Sequence, residues 1–409
     1  MSAIDPSELF SLEAIENPYP LYERMREHAP VCQLGTARAF LVGTRAAVEE
    51  AVKRHDEFSA NLEAMLICGE DQQPRIFNLA VSGSASQVIA TADEPQHSVH
   101  RRLMMPPLKA TAIAELEPEL REFARQRVAT LQKNRGGDCC AILSEPLPAY
   151  VVIRLLDLGD DALDAIRRWA MMGGDMLAGR LEEDDVQHLL DEAMAQGAYL
   201  FEHFAAISAL QPELRGDSLI ATLASGVDEG LVSVEQAVGI LVILFGAAGE
   251  STAGLLGSCI HRLAADDTLQ QHLRSHPELI PSFIEEVVRL DPPFKFHYRV
   301  VRKHTTLCGT SLQEGDLLLL SWAAANRDPA CWDQPDQLLL DRPHLKRHLG
   351  FGYGIHFCIG APLARLEVRI ALEELLTGTT RFRLDPHQPS VYAPSIFVRR
   401  LEHLTLTIT

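Results

Sequence analysis

Phe351-Gly352-Tyr353-Gly354-Ile355-His356-Phe357-Cys358-Ile359-Gly360 is a glycine-rich loop with one cysteine, and a helix-like run begins directly after it at Ala361. Free N–H groups at a helix start carry partial positive charge and stabilise an anionic sulfur, so the position favours a thiolate. Gly352, Gly354 and Gly360 let the backbone turn tightly and approach a flat ligand without Cβ clashes. A lone cysteine cannot build a tetrahedral zinc site, and no paired cysteines or histidines with zinc spacing accompany it. The bland alternative is an inert cysteine buried in a turn. One thiolate facing a flat cofactor points instead to axial ligation of haem iron.

The loop resembles the Phe-Gly-x-Gly-x-His-x-Cys-x-Gly loop of the cytochrome P-450 superfamily of haem-thiolate monooxygenases at every fixed position. Ala361-Pro362-Leu363-Ala364-Arg365-Leu366-Glu367 resembles its continuation in bacterial members. The resemblance implies a mainly α fold with a small β-rich part and a long central helix over haem b (heme b; iron protoporphyrin IX). It implies Cys358 as the iron ligand, with Phe351, Gly352 and Gly360 beside it. No Ser/Gly-rich linker, charge block or internal repeat divides the chain, so residues 1–409 are expected to form one domain. Ala92-Asp93-Glu94-Pro95, His297-Tyr298-Arg299, Asn326-Arg327-Asp328-Pro329 and Pro394-Ser395-Ile396-Phe397-Val398-Arg399-Arg400 look most like a mycobacterial-type subgroup.

Hydrophobic residues make up 47% of the chain, enough for a large core, and the net charge of −19 repels nucleic acid and anionic membranes. Met1 to Arg26 is polar and contains Asn17-Pro18-Tyr19-Pro20, so neither signal peptide nor membrane anchor is expected there. The eight cysteines form no secreted disulfide framework, which suits a soluble protein of the reducing cytoplasm.

Periodicity predicts a short helix over Pro20 to His28 and strands over Val31 to Leu34 and Ala39 to Val42 around Gly35. Met65 to Ile89 is weakly periodic, and the resemblance makes it a mobile cover over the substrate pocket. Ala114 to Ile207 reads as helical, with breaks near Gly136-Gly137 and Gly173-Gly174. Ser233 and Gln236 have capping-box spacing and open the longest helix. Its run from Ala237 to Leu263 is apolar on nearly every face and must be buried all round. A helix from Ile280 to Leu290 stops before Asp291-Pro292-Pro293. Short strands and loops follow Arg299 until a helix at Ala361 to Leu376.

Inside the longest helix lies Gly246-Ala247-Ala248-Gly249-Glu250-Ser251-Thr252. Small residues make room beside a helix, and a buried glutamate and two hydroxyls are costly without partners. A structural kink with back-bonding hydroxyls is one explanation. The resemblance to the family's Ala-Gly-x-Asp/Glu-Thr-Thr motif implies another. Ala247 and Ala248 would form an oxygen groove, Glu250 the acid and Ser251 the adjacent hydroxyl, with Thr252 able to share that role. Ala248 stands where glycine is commoner and Ser251 where threonine is usual. Serine lacks the methyl that restricts the rotamer, so proton delivery is expected to survive with more uncoupled peroxide release.

His97 and Arg101 lie four apart on one predicted helix face, and arginine grips carboxylates in a forked geometry. The family's His-x-x-x-Arg pattern implies that they bind haem propionates, together with Arg299 and His356. His100 and Arg102 are expected to be solvated or structural. Glu286 and Arg289 can pair across one helix turn; with Arg342 they resemble the family's structural Glu-x-x-Arg triad.

By resemblance, Ile243, Ala247 and Ala248 face the distal pocket, Phe294, Lys295, Phe296 and His297 line one wall, and Ile396-Phe397 another. Ordinary core packing competes at each. Lys295 either snorkels to solvent or pairs with a substrate carboxylate, and His297 has a propionate as its alternative partner. The expected substrate is mainly apolar: a fatty acid, steroid, terpenoid or polyketide. The resemblance implies dioxygen as the oxidant, and a ferredoxin with its ferredoxin reductase is the expected electron source. Arg102, Lys346, Arg347 and Arg365 form a candidate basic patch for that partner. A peroxide-driven haem-thiolate enzyme or isomerase, and a non-catalytic haem sensor or carrier, are the competing classes; Glu250-Ser251 weighs against both.

Overall fold

In the computed structural model, residues 4–79, 87–180 and 183–409 are described. The longest apolar run is one interior rod in three parts: Val234–Leu244, a widened π turn over Phe245–Glu250, and Ser251–Ala265. Ser233 starts it as the sequence predicts. Its hydroxyl accepts from the Gln236 N–H at 3.1 Å, while the Gln236 amide oxygen accepts from the Ser233 N–H at 2.9 Å. Leu255, Leu256, Cys259 and Ile260 pack into one core and Ile240, Leu241, Leu244 and Phe245 into another, so the rod joins the two. It is also the one described helix long and apolar enough to cross a membrane.

The widened turn is gripped by the helix Leu163–Met176. A Cβ on Gly249 would sit 2.4 Å from that of Ala170, and one on Gly174 would sit 2.3 Å from the Glu250 carboxylate. Gly173 and Gly174 therefore lie inside a helix, where the sequence reading placed a break; they serve close packing. Gly136 and Gly137 do interrupt the helices, as the strand Gly136–Asp138 with φ near +130°.

A five-stranded sheet forms the largest β part, in the order Val31–Gln33, Ala39–Val42, Leu317–Ser321, Phe296–Val301, Phe58–Ser59. Successive residues of a strand face opposite sides. Phe296, Tyr298 and Val300 enter the core, and His297 and Arg299 turn to the other face. The expected hairpin around Gly35 is present, with Val31 opposite Val42. Ala64–Cys68 pairs with Pro74–Asn78. The remainder of the expected pocket cover falls partly on residues 80–86, outside the described residues.

The helix Ile280–Leu290 ends where the sequence predicts and anchors the loop before the cysteine. Glu286 accepts from Arg289 Nε at 2.7 Å, from Arg342 Nε at 2.8 Å and from the Leu339 N–H at 2.9 Å. Arg289 also donates to the Asn326 carbonyl, and the Asn326 side-chain oxygen accepts from the Leu349 N–H at 2.6 Å. The buried triad thus fixes the chain two residues before Phe351.

Candidate active site

The cysteine loop closes on itself: the Cys358 N–H donates to the Phe351 carbonyl at 2.8 Å. Gly352 and Gly354 hold φ of +73° and +70°, a region that favours glycine. The helix Ala361–Gly378 begins three residues past the sulfur. Burial pushes the Cys358 thiol up, while the Gly360 and Ala361 N–H groups and the charges of Arg101 and Arg365 pull it down. An iron bound to the sulfur would add the missing positive charge.

Cys358, Phe351, Gly352 and Gly360 form one side of a cavity of about 220 Å³. Ile243, Ala247, Ala248, Ser251 and Thr252 of the interior rod form the opposing side, with Phe294 on a third wall. Ser251 Oγ donates to the Ala247 carbonyl at 2.6 Å, inside the widened turn.

Glu250 does not line this cavity. It is buried on the other side of the rod, where it accepts from the Gly174 N–H at 2.7 Å and from Arg400 Nε at 3.1 Å. Arg400 also reaches Asp175 at 3.0 Å. Burial pushes the Glu250 carboxyl up to about 8, against the pull of Arg400. Glu367, which the sequence reading gave no role, does line the cavity. Its Oε2 has no partner among the described residues, and burial pushes the carboxyl well above its ordinary value. The readable signal was a glutamate four residues after Leu363 in an otherwise apolar helix face.

At the cavity's polar end the rings of His97 and His356 lie 4.1 Å apart. Arg101 donates to the Phe357 carbonyl at 2.8 Å and Arg299 to the Tyr298 carbonyl at 2.7 Å. Neither guanidinium has a carboxylate at ion-pair distance among the described residues. Burial lowers His97, and burial with the nearby Arg299 takes His356 down to about 2 and His297 to about 3. Burial lowers Arg299 itself to about 10. Two unpaired guanidiniums at one end of an apolar cavity, with a sulfur between its walls, fit a flat ligand bearing two carboxylates, as haem does.

Four expected wall residues lie elsewhere. Phe296 is fully buried in the core on the opposite face of its strand from His297. Lys295 is fully buried and its Nζ donates to the Ser395 carbonyl at 2.6 Å; burial pushes the amine far down. It neither snorkels nor faces the cavity. Ile396 packs in the core against Gly179, and Phe397 stacks behind Phe294 at 5.0 Å between ring centres. His100 is structural: buried, it accepts from the Ile89 N–H at 3.2 Å. Arg365 is tied to Glu285, Nη2 to Oε2 at 2.9 Å, which leaves Arg102, Lys346 and Arg347 as the exposed basic residues of the expected patch.

A half-buried thiol at a helix start, a small-residue turn opposite it and an arginine–histidine end together define a haem-thiolate protein. The comparisons name the family. Cytochrome P-450 144 of Mycobacterium tuberculosis is 38% identical over 410 residues, covering 99% of this chain and 92% of that protein. A family model described as cytochrome P-450 matches residues 256–399. The structure of CYP109E1 from Bacillus megaterium in complex with testosterone superposes with a TM-score of 0.83 at 28% identity, covering 97% of this chain and 99% of that one. A cytochrome P-450 CREJ structure, at TM-score 0.87 and 23% identity over 97% and 98% of the two chains, shares the fold. The chain belongs to the bacterial cytochrome P-450 family, whose members are monooxygenases that bind haem through a cysteine thiolate.

Proposed function

We propose that this P-450 hydroxylates a mainly apolar small molecule, drawing two electrons from a ferredoxin served by a ferredoxin reductase. The observation that carries this is the apolar cavity between the Cys358 loop and the Ala247–Thr252 turn. Bound haem supplies dioxygen activation, and the protein supplies position, protons and exclusion of water. Cys358 would hold the iron, and His97, Arg101, Arg299 and His356 the propionates. Ala247 and Ala248 leave room above the ring plane, and Ile243 and Phe294 shape the substrate space. Ser251 Oγ, held by the Ala247 carbonyl, keeps a lone pair for accepting a proton. Glu250 holds a proton at neutral pH, and Arg400 and Asp175 connect it towards solvent. Proton transfer from Glu250 to Ser251 or Thr252 then passes along the widened turn through water.

With Lys295 capped by a backbone carbonyl, no lysine awaits a substrate acid, which favours neutral ligands over fatty acids. Steroids belong first in the screen, given the testosterone complex of CYP109E1. Arg102, Lys346 and Arg347 suit an acidic ferredoxin on a protein of charge −19. We also read the chain as one soluble cytoplasmic unit, since the single membrane-length apolar helix among the described residues is the interior rod. The test is reconstitution with ferredoxin and reductase, against peroxide alone, on ligands that shift the haem spin state. Product only with the electron chain supports the proposal, whereas product only with peroxide favours the peroxide-driven class. A ferrous–carbon monoxide Soret band lacking the thiolate red shift in wild type and in Cys358→Ala alike would remove Cys358 as ligand.

A further inference from the structure

Trp322 is a buried indole on the short helix Trp322–Ala325 and lines the cavity. Sheet register brings it to one partner. Leu320 lies opposite His297 and Ser321 opposite Phe296, so the indole emerges beside the His297 ring. The two are joined by a hydrogen bond from Trp322 Nε1 to His297 Nδ1 of 2.7 Å. An indole N–H can only donate, so Nδ1 must accept, and the proton of the neutral imidazole sits on Nε2. Phe294 and Phe397 meet the same ring edge-on, with centroids 5.4 and 5.7 Å away, and hold its plane. His297 shares its strand face with Arg299, two residues on, and Nε2 has no acceptor among the described residues.

We propose that Trp322 is a positioning residue for the haem: it locks His297 in the Nε2–H tautomer, so that His297 is a fixed donor beside Arg299 for a propionate. The inference rests on the reading of this end of the cavity as the propionate site. The lock matters because His297 stays neutral, pushed to about 3 by burial and by Arg299. A neutral imidazole has one donor and one bare nitrogen. Without the indole, the ring can present its lone pair to the carboxylate, which turns an attraction into a repulsion.

The test is haem transfer from the ferric holoprotein to excess apomyoglobin. Trp322→Phe is expected to release haem about tenfold faster or more, the loss of one hydrogen bond to a charged group. His297→Phe should show a similar rise, and Trp322→Phe should add little in that background. In His297→Gln the amide N–H₂ donates without help, so Trp322→Phe should have no effect there. Wild-type release rates in Trp322→Phe, or the same acceleration in every His297 background, would overturn the proposal; the second result would mean plain packing. If Trp322→Phe fails to fold, histidine-selective ¹⁵N spectra of the wild-type ferrous–carbon monoxide form decide. The signal lost in His297→Gln must be that of a neutral Nε2–H ring, and an Nδ1–H signature overturns the lock. A wild type that takes up no haem would instead remove the haem reading itself.

Discussion

Gly173 and Gly174 are neighbours on one helix, and the structure predicts opposite outcomes for replacing each by alanine. A Cβ on Gly173 meets nothing closer than the Gly246 Cα at 3.6 Å, an ordinary contact. Alanine there gains helix propensity, about 1 kcal/mol at most. A Cβ on Gly174 falls 2.3 and 2.6 Å from the two Glu250 oxygens and 2.7 Å from its Cδ. The carboxylate is boxed in by Arg400 and cannot swing away freely. It would have to give up its 2.7 Å bond from the Gly174 N–H. Losing a hydrogen bond to a protonated, neutral carboxyl costs about 0.5–1.5 kcal/mol, and overpacking adds about 1–3 kcal/mol. After the propensity gain, Gly174→Ala should be destabilised by about 0.5–3.5 kcal/mol. For 409 residues the unfolding entropy is about 0.9 kcal/mol/K, so its Tm falls by about 1–4 °C while that of Gly173→Ala holds or rises slightly. Thermal scans of ferric proteins with matched haem content measure the pair. Equal Tm values for the two variants would refute the claim that Gly174 exists to admit Glu250.

Three further outcomes follow from buried charge. Arg342→Ala removes one of two guanidiniums on the fully buried Glu286; urea unfolding should show a loss of about 3–5 kcal/mol, and an unchanged midpoint would contradict the triad's role. Glu250 has its folded-state carboxyl raised from 4.5 to about 8, so the native protein keeps a proton that the unfolded chain releases. Its contribution is therefore most favourable below pH 4.5 and is lost as pH rises to 8, by at most about 5 kcal/mol. Glu250→Gln should flatten the fall in stability between pH 5 and 8, and an identical slope in both proteins would count against the raised carboxyl. Lys295→Met removes a buried amine held by one carbonyl; stability should change by no more than about 1 kcal/mol. Binding of carboxylated ligands, read by spin-state shift, should be unaltered, and a selective loss for acids would restore Lys295 to the pocket.

The parts of the fold legible in the sequence were those decided locally. The capping box at Ser233, the proline stop after Leu290 and the glycines around Cys358 each determine backbone within a few residues of themselves. Where the sequence reading failed, the deciding contact was remote. Gly174 looked like a helix break because its reason, Glu250, lies 76 residues away. Ile396 and Phe397 looked like pocket wall because a short segment does not announce which face turns inward. That is set by the lone bridge from Phe294 to Val398 and by the Lys295 N–H bond to the Phe397 carbonyl. Trp322 was silent for the same reason, since only sheet register carries it to His297.

Glu250 and Ser251 show why adjacent residues of one motif part company. Consecutive side chains on a helix diverge by about 100°, so one of two neighbours can turn away from a cavity that the other lines. Here the Ser251 hydroxyl takes the cavity side and bonds the Ala247 carbonyl, which the π turn leaves within reach. Glu250 is directed into protein, where an unpartnered carboxylate would be costly. The Gly174 N–H and Arg400 answer that cost, and both come from chain segments far from the motif. The two glycines of the Leu163–Met176 helix and the arginine near the chain's end are thus part of the same arrangement as the motif itself. A motif survey that scored positions 247 to 252 alone would miss the groups that decide the protonation of Glu250. Exchanging Ser251 for threonine changes only the cavity side of the rod, and changing Gly174 or Arg400 acts only on the acid side. The separation makes the two halves of proton delivery independently addressable.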